Sequence, residues 1–148
     1  MTPFAIRSTL LAFATLAALS AGACQASVDT SPRPGGVYKL KPGIFVAEGS
    51  DCAAPANAAI RQYDGKGIAT AHTRACRAVI KSRRGASFKV EQSCIDAGSG
   101  PAPRKTQRQT IAVRDALSFT QTIGAASTSF RYCPADALPA DLRKAAPR

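Results

Sequence analysis

Residues 75–94 read ACRAVIKSRRGASFKVEQSC, and the alternation within them decides the fold class. Side chains on a strand alternate between two faces, so apolar residues at every second position mark a strand buried on one side. Before the glycine, Cys76, Ala78 and Ile80 share one face while Arg77, Lys81 and Arg83 share the other, with Val79 against the pattern. After it, Phe88, Val90 and Cys94 face one way and Ser87, Lys89, Glu91 and Ser93 the other. Two such strands around a short glycine-containing turn read as a hairpin. For the apolar faces to coincide, the numbers of paired residues must sum to an even value. A two-residue Arg84-Gly85 turn breaks that condition. A three-residue loop Arg83-Arg84-Gly85 keeps it, with Gly85 left-handed at the last loop position. This register sets Cys76 opposite Gln92 and leaves Cys94 only diagonal to Cys76.

Outward from the hairpin, β-prone runs recur at 43–47, 58–63, 68–72, 107–113, 117–122 and 128–133, punctuated by Pro42-Gly43, Asp64-Gly65 and the stretch 98–103. Ile111, Val113, Leu117, Phe119 and Ile123 all carry odd numbers, so one apolar face continues through that stretch. About eight short antiparallel strands predict an all-β fold, a meander closed into a small barrel or folded into a two-sheet sandwich. Helix is confined to a turn within 54–59 and a short segment over 139–145, with Pro139 at the first helical position.

The chain has 148 residues, and its first 26 contain Arg7 but no acid, then an apolar run ending at Leu19 and a small-residue exit. Those are the parts of a secretory signal, with cleavage expected before Cys24 or before Ser27. Lipid attachment at Cys24 is the alternative, although Leu19 lies five residues before it where a lipoprotein signal places leucine three before. The apolar run from Thr9 to Leu19 is about half the length needed to span ~30 Å of hydrocarbon, so no membrane span is expected. The remainder divides into a Pro/Gly-rich arm (27–36), one β domain (37–133) and a C-terminal tail (134–148). The expected location is the periplasm or the exterior.

Setting Cys24 aside leaves Cys52, Cys76, Cys94 and Cys133, an even count that in an exported chain predicts two disulfides. With Cys76 and Cys94 only diagonal, the expected pairs are Cys52 with Cys76 and Cys94 with Cys133. No CxxC spacing supports redox chemistry. One histidine and four cysteines without paired short spacing form no recognisable zinc set, and no cofactor is expected. His72, the only histidine, is a candidate general base, with Asp64 or Asp96 and a serine as possible companions for a small hydrolase. Each acid lies close to glycine, the ordinary composition of a tight turn.

Charge carries more. The chain has a formal net charge of +11, and residues 61–114 hold twelve Lys or Arg against three acids. Arg77, Lys81, Arg83 and Lys89 fall on the outer face of the hairpin, a surface suited to phosphate or carboxylate groups of an envelope polymer, a lipid or an acidic protein. Nucleic acid is disfavoured: single-strand binding uses exposed aromatics for stacking, Phe88 faces inward and there is no tryptophan.

The Ala-rich leader, the even cysteines and the strand meander over 37–133 resemble the small disulfide-bonded β-barrels that bacteria export, among them inhibitors of lysozyme and of secreted proteases. That resemblance implies a non-catalytic binding or inhibitory module and assigns no residue a role. The expectation is a binding protein whose basic face meets an anionic envelope component. The alternatives are an inhibitor that inserts a loop or the arm into an enzyme cleft, and a hydrolase using His72.

Overall fold

A computed structural model describes residues 33–96 and 102–147. The leader, Cys24, the arm as far as 32 and most of the 98–103 turn lie outside the described residues. The strands are β1 (Gly43–Ala47), β2 (Ile60–Tyr63), β3 (Ile68–Thr70), β4 (Thr73–Arg84), β5 (Ser87–Asp96), β6 (Arg104–Asp115), β7 (Ser118–Ile123) and β8 (Ala126–Cys133). They form one antiparallel sheet in the order β3-β2-β1-β8-β7-β6-β5-β4, curled into a nearly closed barrel. The all-β expectation holds, in its barrel form.

Two contacts bridge the seam between the sheet's edges. The Ala78 N–H donates to the Lys66 carbonyl at 2.9 Å. The Gln92 side chain, reaching in from β5, accepts from the Ile68 N–H at 2.7 Å and donates to the Ile68 carbonyl at 2.8 Å. A primary amide carries the donor and acceptor of a peptide group, so Gln92 satisfies the backbone of β3 as a neighbouring strand would. Gly67 lies against this seam, where a Cβ would meet the Cys76 carbonyl oxygen at 2.8 Å.

The hairpin turns at Gly85-Ala86, with Arg84 paired to Ser87. Gly85 has φ +58°, the first-position signature of a two-residue II′ turn. The expected three-residue loop is thus corrected. The pairing starts with an odd sum, and an extra residue, Lys81, between the Ile80–Val90 and Ser82–Lys89 pairs restores the even sum that aligns the apolar faces. Through Val79–Glu91 and Ala78–Gln92 this register runs to Arg77–Ser93, so Cys76 meets Cys94 rather than Gln92. A second irregularity follows at Ala75, whose φ of +50° is left-handed.

The disulfides are Cys76–Cys94, with Cα atoms 4.1 Å apart, and Cys52–Cys133, with Cα atoms 5.7 Å apart. Their number is as expected and the pairing is not. The Lys81 bulge brings Cys76 and Cys94 face to face, which leaves Cys52 on the β1–β2 connection to reach the end of β8.

One apolar cluster fills the barrel: Tyr38, Leu40, Phe45, Tyr63, Phe88, Ile111, Phe119 and Phe130 are all buried within it. Phe119 stacks on Phe130 with centroids 5.2 Å apart and meets the edge of Phe45 at the same distance. Residues 35–40 plug this end. Gly35 bridges to Leu40, the Tyr63 hydroxyl donates to the Gly35 carbonyl at 2.7 Å, and the same oxygen accepts from the Tyr38 N–H at 3.1 Å. Gly36 (φ +69°) touches Gly65, and a Cβ there would lie 2.2 Å from the Gly65 carbonyl oxygen.

A second cluster lies outside the barrel. Ile44 and Val46, on the opposite face of β1 from Phe45, pack with Cys52, Ile60, Cys133 and Leu138 under the C-terminal helix α1 (Ala140–Ala145). The tail therefore covers β1, which is why that strand reads as a continuous apolar run. Pro139 caps α1 rather than occupying its first turn.

Candidate functional site

Two surfaces of the barrel gather polar side chains. The first is the outer face of β4, β5 and β6. Cross-strand pairs Arg77–Ser93, Val79–Glu91, Glu91–Arg108, Lys89–Thr110 and Ser93–Thr106 all point outward, opposite to the buried Val90 and Ile111. Glu91 sits between two cations, with Lys81 Nζ at 3.1 Å and Arg108 Nε at 3.3 Å. Hydrogen bonding from Lys81 and then Arg108 holds its carboxyl below the usual carboxylate range. The Arg104 guanidinium donates to the carbonyl and hydroxyl of Ser93 at 3.0 and 3.1 Å. Lys81, Lys89, Glu91, Arg108, Thr110 and Thr122 border a groove of about 420 Å³ across this face.

The four residues expected on one basic face therefore separate. Lys81 and Lys89 share the groove, and Arg77 lies farther along the same outer surface. Arg83 does not join them. The Lys81 bulge reverses the facing of every residue beyond it, so Arg83 pairs with inward-facing Phe88 and lays its guanidinium over that ring, 5.0 Å from the centroid. Arg104 and Arg108, four residues apart on the outer face of β6, are cations of this face that alternation in the hairpin alone does not reveal.

The end of the β4–β5 hairpin departs from the sequence reading as well. Ile80, on the expected inner face, is 42% exposed and Val79 57% exposed, because Val79–Arg84 extends past the contacts that tie β4 to β3. Lys81, Arg83, Arg84 and the bulge blunt this free edge against strand addition. Leu117, expected on the apolar face, sits 48% exposed in the turn before β7.

The second surface is the end of the barrel opposite the plug. Its cavity, about 380 Å³, is bordered by Thr70, Thr73, Gln92, Gln107, Gln121 and Ile123, with the Asp96–Lys105 pair at 3.2 Å on the rim. Behind it runs a chain of side-chain hydrogen bonds. Arg61 Nε donates to Gln121 Oε1 at 2.7 Å, and Gln121 Nε2 donates to Gln109 Oε1. Gln109, which borders the outer groove, has a buried Nε2 that makes no hydrogen bond among the described residues. Arg61 also donates to the carbonyls of Ala58 and Ile60 and stacks over Phe130 at 4.6 Å, and burial pulls its pKa down. Among the described residues no carboxylate pairs with it.

His72 is exposed in the β3–β4 turn, where its N–H donates to Thr70 Oγ1 at 3.2 Å. No hydrogen bond or ion pair described joins its ring to Asp64 or Asp96. Asp64 is occupied as a turn residue, accepting from the Lys66 and Gly67 N–H groups at 2.9 and 3.1 Å. Among the described residues no group of three or more His, Cys, Asp or Glu could hold a metal, and no helix is long and apolar enough to cross a membrane.

Comparison with known proteins finds no matching family model, no matching characterised relative and no matching solved structure. The chemistry of the two surfaces is what remains to read function from.

Proposed function

We propose that this chain is a non-catalytic binding protein of the cell envelope or exterior, and that the outer face of β4–β6 holds an anionic polymer or lipid headgroup. One observation carries the reading: Arg77, Lys81, Lys89, Arg104 and Arg108 are all exposed on one sheet surface, around a single carboxylate, Glu91. The paired strands place these cations on three neighbouring strands of one surface, where several anionic groups can be met at once. Glu91 holds Lys81 and Arg108 in place while Arg77 and Lys89 stay outside any ion pair described. The two disulfides are compatible with an oxidising compartment, and the leader supports export.

The test compares the wild type with a protein in which Arg77, Lys81, Lys89 and Arg108 are all Gln, on lipopolysaccharide and on vesicles containing phosphatidylglycerol, across a salt series. Wild-type binding is expected to fall steeply with salt, because screening shortens to ~8 Å near physiological ionic strength. The quadruple variant is expected to lose most of it while folding normally, since exposed ion pairs contribute little to stability. Arg83→Gln, on the other side of the strand, should bind as the wild type does. Salt-insensitive binding shared by all three proteins, or none by any, would overturn the proposal.

A further inference from the structure

The groove on the outer face is chemically divided. From β5 to β8 the outward residues Lys89, Thr110, Thr122 and Ser127 form one row, with Lys89 paired to Thr110, Thr110 to Thr122 and Thr122 to Ser127. The row begins at a cation and continues in hydroxyls. With neighbouring strands ~4.8 Å apart, it extends over about 14 Å of the surface. Beside it, two residues along β5, lies the paired row of Glu91 and Arg108. The groove, about 420 Å³, is bordered by both rows: Lys81, Lys89, Glu91 and Arg108 make one part of its border charged, and Thr110 and Thr122 make the other neutral.

Two features select among anions. The first is Glu91, whose Oε2 accepts from Lys81 at 3.1 Å and whose Oε1 accepts from Arg108 at 3.3 Å, with the side chain still 31% exposed. An ionised carboxylate has about four acceptor sites, so Glu91 keeps room for donors from a ligand. An ionised phosphate diester or carboxylate brings it no proton and is repelled by its charge, whereas a sugar hydroxyl donates to it. A densely charged chain laid across the cations therefore meets a like charge at the centre of the face. A chain with hydroxyls between its anions does not. The second feature is the pair of threonines. Thr122 and Ser127 share a hydrogen bond between their hydroxyls at 3.0 Å, which leaves lone pairs on both oxygens for a ligand. Threonine is stiff at its first side-chain torsion, so hydroxyls at Thr110 and Thr122 lose little freedom when a ligand binds.

We infer that the groove binds an acidic polysaccharide of the uronate class, a carboxylate of the chain meeting Lys89 while hydroxyls of adjoining sugars donate to Glu91 and exchange hydrogen bonds with Thr110 and Thr122. Lys89 stands outside any ion pair described, so the ligand carboxylate pairs with it without displacing Glu91 from Lys81 and Arg108. The inference rests on the reading of the outer face as an anion-binding surface. It narrows that reading to a polymer whose charges are separated by hydroxyls.

The experiment measures binding of the folded, oxidised protein to sodium oligogalacturonate and to polyacrylate of equal carboxylate number, which carries no hydroxyl, by calorimetry at one moderate salt concentration. Vesicles containing phosphatidylglycerol form a third arm. The double variant Thr110→Val and Thr122→Val keeps the shape and β-branching of both side chains and should fold normally. It should weaken oligogalacturonate by about tenfold or more, as the loss of two hydrogen bonds predicts, and leave polyacrylate within about twofold. Thr122→Val alone, with a smaller selective loss, serves if the double variant misfolds. Glu91→Gln removes the repelling charge together with a charged acceptor, so the affinity ratio of oligogalacturonate to polyacrylate should fall by about tenfold. Equal weakening of both polymers in the threonine variants, or of neither, would overturn the inference and leave the anion-binding reading standing. Binding to the vesicles without binding to oligogalacturonate would do the same. Binding to none of the three would overturn the anion-binding reading and this inference together.

Discussion

The two ends of the barrel are built on the same strands and obey opposite rules. At the plugged end, aromatic rings interlock and the Tyr63 hydroxyl joins the Tyr38 N–H to the Gly35 carbonyl. At the open end amides and hydroxyls join Ile68 and Ile123 around a cavity. The difference teaches that apolar burial is concentrated toward one end of the barrel: the plugged end supplies the packing that lets the open end carry polar groups.

The largest expected effect lies in the rings. Phe119→Ala removes a side chain that stacks on Phe130 and meets the edge of Phe45 and should cost about 3–5 kcal/mol, measured by denaturant unfolding. Gln121→Leu, two residues along the same row, should cost much less, and equal losses would break the contrast between the ends.

Next is the bond beside the open end. Replacing Cys76 and Cys94 with Ala opens a link between residues 18 apart, and the chain-entropy relation gives about 3 kcal/mol for a loop of that size. The longer Cys52–Cys133 link, spanning 81 residues, should cost about 4–5 kcal/mol when removed from the opposite face of β1. Peptide mapping without reductant checks the pairing itself.

Smaller effects sharpen the account of the plug. Tyr63→Phe leaves the Tyr38 N–H and the Gly35 carbonyl without their shared partner and should cost about 1–3 kcal/mol. Tyr38→Phe removes a buried hydroxyl that makes no hydrogen bond among the described residues, so its effect on stability at neutral pH should be close to zero. Burial raises the folded pKa of both tyrosines above the ordinary 10.0. The stability tied to their neutral forms is therefore fully present below pH 10 and is lost as pH rises toward the folded values. The melting temperature should drop above pH 10, and Tyr38→Phe should soften that drop.

Much of this was legible in the alternation of 75–94 and 111–123, because inward parity survives a change of register as long as each bulge is matched by a compensating turn. The turn and bulge themselves were not legible. Lys81 looks like any outward lysine, and nothing in its neighbours marks it as the unpaired residue that moves Arg83 to the other face and Cys76 onto Cys94. The open end left a signal that hydrophobic counting passes over: Gln92, Gln107, Gln109 and Gln121 all carry the parity of buried neighbours. The Arg61 connection had none, since Arg61 and Gln121 meet only after the barrel closes.

The central claim, that the outer face of β4–β6 is the surface that meets anionic material, is tested most directly by mapping contacts with lipopolysaccharide core oligosaccharide freed of its acyl chains. Chemical-shift changes in the oxidised protein should concentrate at Arg77, Lys81, Lys89, Arg104 and Arg108, spare Arg83 and the plug at 35–40, and fade as salt is added. Shifts centred on Arg83 or the plug, or a spectrum unchanged throughout the titration, would contradict it.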